Sequence, residues 1–259
     1  SMRVTNTVLQ GLRLAMGFSN SECAARRARS VLTFSHNVVR GANLGVLVQN
    51  FLTGDASNDG SDGPAIWATV TSNLFYNNGT ALRAAGGERG TDGGSVTLYM
   101  SGNVFRNNGG NVQAFGGVSR LAAPAVGNRL KLRSEFDTFG EAFSNVSLKA
   151  GPGDADDDPR DSKLEAEFIH SHFIRDFSDT PAEISIIGGS GSRDRAEVLI
   201  RGATVRTSEG VRSQGGLLIQ DQLEPGIGTS KARLEGSRQE FIHRNQGLPA
   251  PPAHFFLAH

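Results

Sequence analysis

A short segment of this chain recurs at a nearly constant interval, and the recurrence restricts the folds open to it. Residues 72–79 contain the pattern Asn-x-Phe-x-Asn-Asn-Gly, and residues 101–109 repeat it. Equivalent positions, which we call the markers, recur every 30 to 36 residues: Val8, Val39, Phe75, Phe105, Phe139, Phe173, Val205 and Phe241. Because such uneven intervals would break the stacking of a helical array, they predict a β-solenoid of eight coils.

Each predicted coil contains three short stretches with strand character. One precedes the marker, at 66–68, 96–98, 130–132, 164–166, 196–198 and 232–234. A second follows the marker, at 46–48, 82–84, 112–114, 146–148, 184–186 and 217–219. The marker itself lies on the third. Alternating apolar and polar residues turn one face of each strand inward, and the connecting turns are too short for helices. The sequence therefore predicts an all-β fold of three parallel sheets wound into a tube, a parallel β-helix.

Asparagine or aspartate occupies one place before the marker in five successive coils: Asn6, Asn37, Asn73, Asn103 and Asp137. Stacked amides bond along a tube, and Asn tolerates the left-handed backbone of a tight turn. In these residues the chain resembles the right-handed parallel β-helix, or pectate-lyase-like, superfamily, whose turn between its second and third sheets carries an Asn ladder. The resemblance covers nearly the whole chain at the level of the fold. It implies a carbohydrate-active protein whose substrate lies along the post-marker sheet.

The composition fits one domain over residues 1–259, because a solenoid grows linearly and needs no separate cores. Residues 1–29 form a weak first coil, in which 24–29 suit either a helical cap or a basic solvated loop. Prolines in 248–259 favour a C-terminal cap without further pairing. The formal net charge of zero gives no indication of nucleic acid, and no apolar run is long enough to span a membrane.

Long insertions follow the post-marker strand, at 49–64, 86–95, 116–128, 150–162, 188–195 and 221–230. Insertions at a single corner build a wall beside one sheet, where repeat proteins often bind ligands. In the first insertion, Asp55, Asp59 and Asp62 have the alternate spacing of a calcium loop, but Ile66 replaces its closing Glu. This incomplete motif predicts either a calcium site or a solvated acidic loop.

The outward face of the post-marker sheet is where we expect chemistry. Its middle column reads Leu47, Arg83, Gln113, Ser147, Ser185 and Leu218. Glu183 is the expected proton donor, and Arg83 and Lys149 orient or neutralise a substrate. The predicted substrate-binding residues are Gln113, Phe115, Asn111 and Asn145. Because glycoside hydrolysis normally needs two carboxylates about 5 to 9 Å apart, a single acid suits hydrogen bonding and stacking to a sugar better than bond cleavage. A solvated sheet face is the alternative.

A second candidate arrangement joins Asp137 to two histidines of the next coil, His170 and His172. A carboxylate one strand spacing from imidazoles suits an acid–base pair or a divalent metal. In the alternative interpretation, Asp137 continues the Asn ladder and the histidines are surface residues. Adjacent side chains on a strand point to opposite sides, so only one of these histidines is expected to reach Asp137.

Charged residues also alternate in sign across the pre-marker sheet. We expect three pairs of opposite charge on neighbouring strands: Lys131 with Glu165, Arg133 with Glu167, and Glu197 with Arg233. Opposite charges on neighbouring exposed strands assist pairing and solubility. The pattern predicts no function for this face.

Three functions remain open from the sequence. The first is a glycosidase or polysaccharide lyase acting on an extended glycan, and the second is a non-catalytic glycan-binding surface module. The third is a structural β-helix segment of a larger secreted protein. A polysaccharide or oligosaccharide is the expected partner, calcium is the only cofactor suggested, and the expected location is extracellular or at the cell surface. The carboxylate pair that hydrolysis requires distinguishes the first function from the others.

Overall fold

The computed structural model describes residues 1–21, 28–51, 63–88, 91, 93–118, 127–140, 142–151, 161–175, 184–188, 193–207, 218–221, 229–235, 242–243 and 254–258. The regular elements within these residues are twenty-four β-strands. They form three sheets, which we call A, B and C, and neighbouring strands run parallel.

The strands of each sheet come from successive coils. Sheet A contains β1 (Met2–Thr5), β4 (Arg29–Ser35), β7 (Ala65–Thr71), β10 (Ser95–Ser101), β13 (Arg129–Glu135), β16 (Lys163–Ile169), β19 (Arg195–Arg201), β22 (Thr229–Glu235) and β24 (His254–Ala258). Sheet B contains β2 (Val8–Gln10), β5 (Val38–Arg40), β8 (Leu74–Tyr76), β11 (Val104–Arg106), β14 (Thr138–Phe139), β17 (His172–Arg175) and β20 (Thr204–Thr207). Sheet C contains β3 (Leu14–Ser21), β6 (Leu44–Phe51), β9 (Thr80–Glu88), β12 (Asn108–Val118), β15 (Ala142–Lys149), β18 (Ile184–Ile187), β21 (Leu218–Asp221) and β23 (Ile242–His243).

The chain visits sheets A, B and C in turn, so three consecutive strands make one coil. Seven coils supply a strand to every sheet, and the expected eighth supplies β22 and β23 among the described residues. The predicted all-β parallel β-helix is confirmed. Its right-handed winding stays a prediction.

The markers from Val39 to Phe173 form a column of buried side chains inside the tube. From the second coil to the seventh they lie in register along sheet B: Val39, Phe75, Phe105, Phe139, Phe173 and Val205. The centroids of the Phe75 and Phe105 rings are 4.8 Å apart, and those of Phe105 and Phe139 are 5.2 Å apart. Stacked aromatic rings add to the stability gained by burying their surface. The column therefore fixes the register of neighbouring coils.

The first coil is shifted by one residue from its predicted register. Leu9, not Val8, aligns with Val39, and Val8 is 61% exposed. The same shift puts Thr7, not Asn6, at the first ladder position, where the Thr7 N–H donates to Asn37 Oδ1 at 2.9 Å. The last predicted marker, Phe241, lies outside the described residues.

A ladder of buried amides runs along the turn between sheets A and B, as predicted. The Nδ2 atoms of Asn37 and Asn73 donate to Oδ1 of the next asparagine, at 3.1 Å to Asn73 and at 2.9 Å to Asn103. The Asn103 Nδ2 donates to Asp137 Oδ1 at 2.9 Å. These amides satisfy backbone groups that the turn would otherwise bury without partners.

The residue with a left-handed backbone in this turn is the one directly before each ladder residue. In successive coils these residues are Asn6, His36, Ser72, Gly102, Phe136, His170 and Gly202, with φ between 49° and 63°. The prediction that the ladder asparagines themselves adopt the left-handed backbone is therefore wrong. The ladder asparagines are therefore selected for hydrogen bonding inside the tube, not for backbone conformation.

The two ends of the chain differ in part from expectation. Arg29 begins strand β4, so it does not belong to a helical cap, and residues 22–27 lie outside the described residues. At the other end, His254–Ala258 pairs in parallel with Lys231–Glu235 as β24. The prediction that the prolines of 248–259 prevent further pairing is therefore wrong, because the residues that pair follow these prolines in the chain.

The insertions fall between a strand of sheet C and the next strand of sheet A, at one corner as predicted. Residues 49–51, 86–88, 116–118 and 221 belong to strands β6, β9, β12 and β21, so four of the insertions begin later than expected. Within the part of the chain that is described, no helix has the length and apolar character needed to cross a membrane.

Candidate functional site

The outward face of sheet C carries a column of residues whose described side chains are polar on four consecutive coils. Cross-strand registers align Leu47, Arg83, Gln113, Ser147, Ser185 and Gln220. Gln220 replaces Leu218, which had been predicted for the last position, because Ile219 pairs with Ile184 and moves the strand by two residues.

Arg83 lies at the centre of a compact cluster on this face. Its guanidinium carbon is 5.0 Å from the centroid of the Phe115 ring, and its Nη2 atom is 3.6 Å from Glu88 Oε1. The Arg83 side chain is 18% exposed and that of Glu88 is 8% exposed. A cation over an aromatic face and beside a buried carboxylate is held in one orientation.

Glu88 is a site residue that sequence reasoning missed. It had been assigned to an insertion, whereas β9 continues to it. The pairing with β6 shifts register between Gln49 and Phe51, so Phe51 aligns with Glu88. A bulge of this kind redirects side chains, and no sequence pattern marks it apart from the neighbouring pair Gly86 and Gly87. A Cβ on Gly86 would lie 2.4 Å from the Arg129 carbonyl oxygen.

Lys149 lies next to Phe115 in register on the neighbouring strand β15. The prediction had placed Arg83 and Lys149 two coils apart, and the structure puts Phe115 on the coil between them. Gln113 and Ser147 form the adjacent column on the same two strands. Four of the predicted residues, Arg83, Gln113, Phe115 and Lys149, are therefore brought together on three consecutive coils.

The remaining acids predicted for this site cannot be placed beside the cluster. Glu183, the expected proton donor, lies outside the described residues, and so do Asp55, Asp59 and Asp62. Their roles stay predictions. Across the described ranges, no three His, Cys, Asp or Glu side chains come close enough to hold a metal ion.

Asn111 and Asn145 do not project from the face, contrary to prediction. They are 0% and 3% exposed. The Asn108 Nδ2 donates to Asn111 Oδ1 at 2.9 Å, and the Asn111 Nδ2 donates to Asn145 Oδ1 at 2.6 Å. These amides extend a second ladder, between sheets B and C, in which the Asn78 Nδ2 donates to Asn108 Oδ1 at 3.0 Å. Their role is to pair buried polar groups.

The second predicted arrangement is not assembled either. Asp137 is fully buried in the ladder, while His170 and His172 are exposed. His172 Nδ1 makes a hydrogen bond with Thr204 Oγ1, and the His170 ring stacks on Phe136 at 5.5 Å. The imidazoles therefore lie outside the tube and the carboxylate lies inside it. The hypothesis of an acid–base pair or a metal site is wrong, and Asp137 continues the Asn ladder.

Burial gives Asp137 an unusual pKa. Desolvation raises the pKa of this carboxyl to about 6, although hydrogen bonds from Ser134 and Asn103 oppose the rise. The Ser134 hydroxyl donates to Oδ2 at 2.7 Å, and the Asn103 N–H donates to Oδ1 at 2.7 Å. The ladder therefore contains a carboxylate where its other members are neutral.

The outer face of sheet A carries ion pairs, as expected. Lys131 Nζ lies 2.9 Å from Glu165 Oε2, and Arg133 Nη1 lies 3.3 Å from Glu167 Oε2. The third expected pair is wrong: Glu197 aligns with Lys231, and Arg233 aligns with Leu199. These pairs are mostly exposed and contribute little to stability.

The arrangement on sheet C suits binding more than bond cleavage. Glycoside hydrolysis normally needs two carboxylates about 5 to 9 Å apart. Of the described residues, the carboxylate that belongs to this cluster is that of Glu88, and it is paired with Arg83. An aromatic ring between two cations, beside amide and hydroxyl groups, offers stacking and hydrogen bonding.

Comparisons of the chain with protein-family models, curated proteins and solved structures find no match. The parallel β-helix is thus established by the strand topology alone, and membership of the pectate-lyase-like superfamily stays a prediction.

Proposed function

We propose that this protein binds an extended polysaccharide or oligosaccharide along the outer face of sheet C. The observation that carries the proposal is the placement of Arg83, Phe115 and Lys149 on three consecutive coils, with Phe115 between the two cations. The aromatic face stacks on the apolar face of a sugar ring, and the adjacent Gln113 and Ser147 supply hydrogen bonds.

The shape of the face supports a chain ligand over a single sugar. The polar column runs from Leu47 to Gln220 across six strands, and six strands at ~4.8 Å spacing extend over about 24 Å. Long segments of the chain connect each strand of sheet C to the next strand of sheet A, and we expect these insertions to stand at one side of the column. A linear glycan lying across the strands meets a repeated set of side chains, one set for each coil.

The two cations favour a glycan that carries carboxylate or sulfate groups. Arg83 is paired with Glu88, and Lys149 lies two coils further along, in register with Phe115 on the coil between them. Binding without cleavage is the function that this cluster supports best. If the glycan is also cleaved, Glu183 is our candidate for the proton donor, and an extracellular or cell-surface location suits either activity.

Phe115→Leu should weaken binding about fivefold or more, because the stacking platform is lost while an apolar side chain remains. The measurement is affinity gel electrophoresis with polygalacturonate, alginate, xylan and chitosan as immobilised probes. Lys149→Gln should weaken binding of polygalacturonate and alginate but not of xylan, because its expected partner is a carboxylate.

Lys131→Gln, a change on the exposed face of sheet A, serves as the matched control for Lys149→Gln and should leave binding unchanged. Reducing-end assays on wild type and Glu183→Gln test for cleavage in parallel. The proposal fails if wild type binds none of the four probes, or if Phe115→Leu binds as tightly as wild type while its thermal unfolding is normal.

A further inference from the structure

The turn between sheets A and B contains an exposed aromatic residue in a conformation that costs stability. Phe136 has φ of 56° and is 58% exposed. Bulky side chains rarely adopt this left-handed backbone, and Asn, Ser or Gly occupies the same column at Asn6, Ser72, Gly102 and Gly202. Burial of the ring does not offset the strain. Strain of this sort is typical of positions kept for function.

The Phe136 ring is held flat by the next coil. Its centroid lies 5.5 Å from that of His170, and the ring planes differ by 17°. His170 is itself left-handed, with φ of 49°, and a Cβ on Gly202 would lie 2.6 Å from His170 Nδ1, so the imidazole rests against that glycine. One face of the Phe136 ring is therefore covered by the His170 ring of the next coil.

Gly102 occupies the place of Phe136 on the preceding coil, on the side away from His170, and has no side chain. The Gly102 N–H donates to the Glu135 carbonyl at 3.0 Å, so Gly102 occupies the turn of the preceding coil. A Cβ built on Gly102 would meet only Ser72 Oγ, at 3.9 Å. At a coil spacing of ~4.8 Å, the missing side chain leaves a slot about one ring thick above Phe136.

Polar groups border this slot on the sheet A side. Ser101 and Glu135 are in register at the ends of β10 and β13, next to Gly102 and Phe136. Glu135 is held in place by Arg133, whose Nε donates to its Oε1 at 2.7 Å, and by the Tyr99 hydroxyl, which donates to its Oε2 at 2.8 Å. An apolar face beside a fixed carboxylate and a hydroxyl matches a sugar ring, which has C–H groups on its face and hydroxyls at its edge.

We propose that Gly102, Phe136 and His170 form a second sugar-binding site, in which one pyranose ring enters the slot above Gly102 and stacks on Phe136. The site lies at the turn between sheets A and B, so it is separate from the glycan face on sheet C. It needs no groups from that face, and either proposal stands if the other fails.

The test is saturation-transfer difference NMR with methyl glycosides of glucose, galactose, mannose and xylose as probes, with the protein's aromatic protons irradiated. Wild type should transfer saturation to the ring C–H protons of at least one probe. In Phe136→Asn the signal of that probe should fall about fivefold. Because Asn tolerates the left-handed backbone, this variant should unfold at the same temperature as wild type or higher.

A second pair of variants separates the slot from the ring. Gly102→Asn places a side chain in the slot while Phe136 is kept and should abolish the signal, whereas His36→Asn, two coils further away in the same left-handed column, should preserve it. Phe115→Leu should also preserve it, which distinguishes this site from the sheet C face. The proposal is overturned if no probe receives saturation from wild type, or if Gly102→Asn and Phe136→Asn keep the wild-type signal.

Discussion

Asn103→Leu is expected to lower the free energy of unfolding by about 4 kcal/mol, because several buried polar groups lose partners at once. Asn103 is fully buried, and its Nδ2 donates to the Val70 carbonyl at 2.8 Å and to Asp137 Oδ1 at 2.9 Å. Its Oδ1 accepts the Asn73 N–H at 3.0 Å and the Asn73 Nδ2 at 2.9 Å. Leucine replaces none of these bonds. Urea denaturation measures the loss.

Thr97→Leu is the matched control, since it introduces the same side chain on the exposed outer face of sheet A in the same coil. Its effect should stay within about 0.5 kcal/mol. A loss of less than about 1 kcal/mol for Asn103→Leu would show that the ladder does not hold neighbouring coils together.

Asp137→Asn should stabilise the protein at neutral pH by about 3 kcal/mol, since the buried pKa of about 6 lies well above the ordinary value of 3.8. The asparagine keeps Oδ1 for Asn103, and its Nδ2 donates to Ser134 Oγ. The Ser134 hydroxyl then turns toward Ser171 Oγ, 3.2 Å away. The ladder thus accepts the neutral amide without an unpaired group.

The stability difference between wild type and Asp137→Asn should depend on pH. Between the two pKa values the folded state binds more protons at Asp137 than the unfolded state, so the stabilisation from protonation is complete below about pH 4 and is lost as the pH rises through about 6. The difference between wild type and Asp137→Asn should therefore close at about pH 4. A wild type more stable than Asp137→Asn at neutral pH would contradict this account.

Much of the fold was predictable because the side chains that define a coil recur at fixed spacing. Phe75, Phe105 and Phe139 fall where the repeat puts them, since an apolar side chain must fill the tube at that position of each coil. In the first coil the same reasoning selected Val8 over Leu9. Both are apolar, and sequence spacing alone cannot tell which of two adjacent apolar residues points inward when the coil has few neighbours.

The second ladder, between sheets B and C, could have been predicted from the sequence. Asn78 and Asn108 recur in phase just as Asn73 and Asn103 do, and both are buried. The face of sheet C was instead assumed to include Asn111 and Asn145. The alternation of inward and outward side chains does not hold there, because β12 and β15 begin in the turn between sheets B and C. In this turn polar side chains point inward and donate to backbone carbonyls, as Asn111 does to Gly140.

The candidate site was predictable only in its regular part. Arg83, Gln113, Phe115 and Lys149 share a face because they follow the period of the strand. Glu88 does not follow it, since a bulge in β9 brings it back to Arg83. The strained Phe136 was also missed. A left-handed conformation at a phenylalanine follows from the position of the turn in the coil and runs against residue preference.

The most direct test of the proposed function is the dependence of affinity on glycan length, measured by isothermal titration calorimetry. The probes are size-fractionated oligosaccharides of the polysaccharide that wild type binds in the gel assay. Because the face extends over about 24 Å, affinity should rise with each added sugar up to about five units and then level off. The rise should be smaller in Phe115→Leu. An affinity that is already maximal for a monosaccharide or disaccharide would contradict an extended site along sheet C.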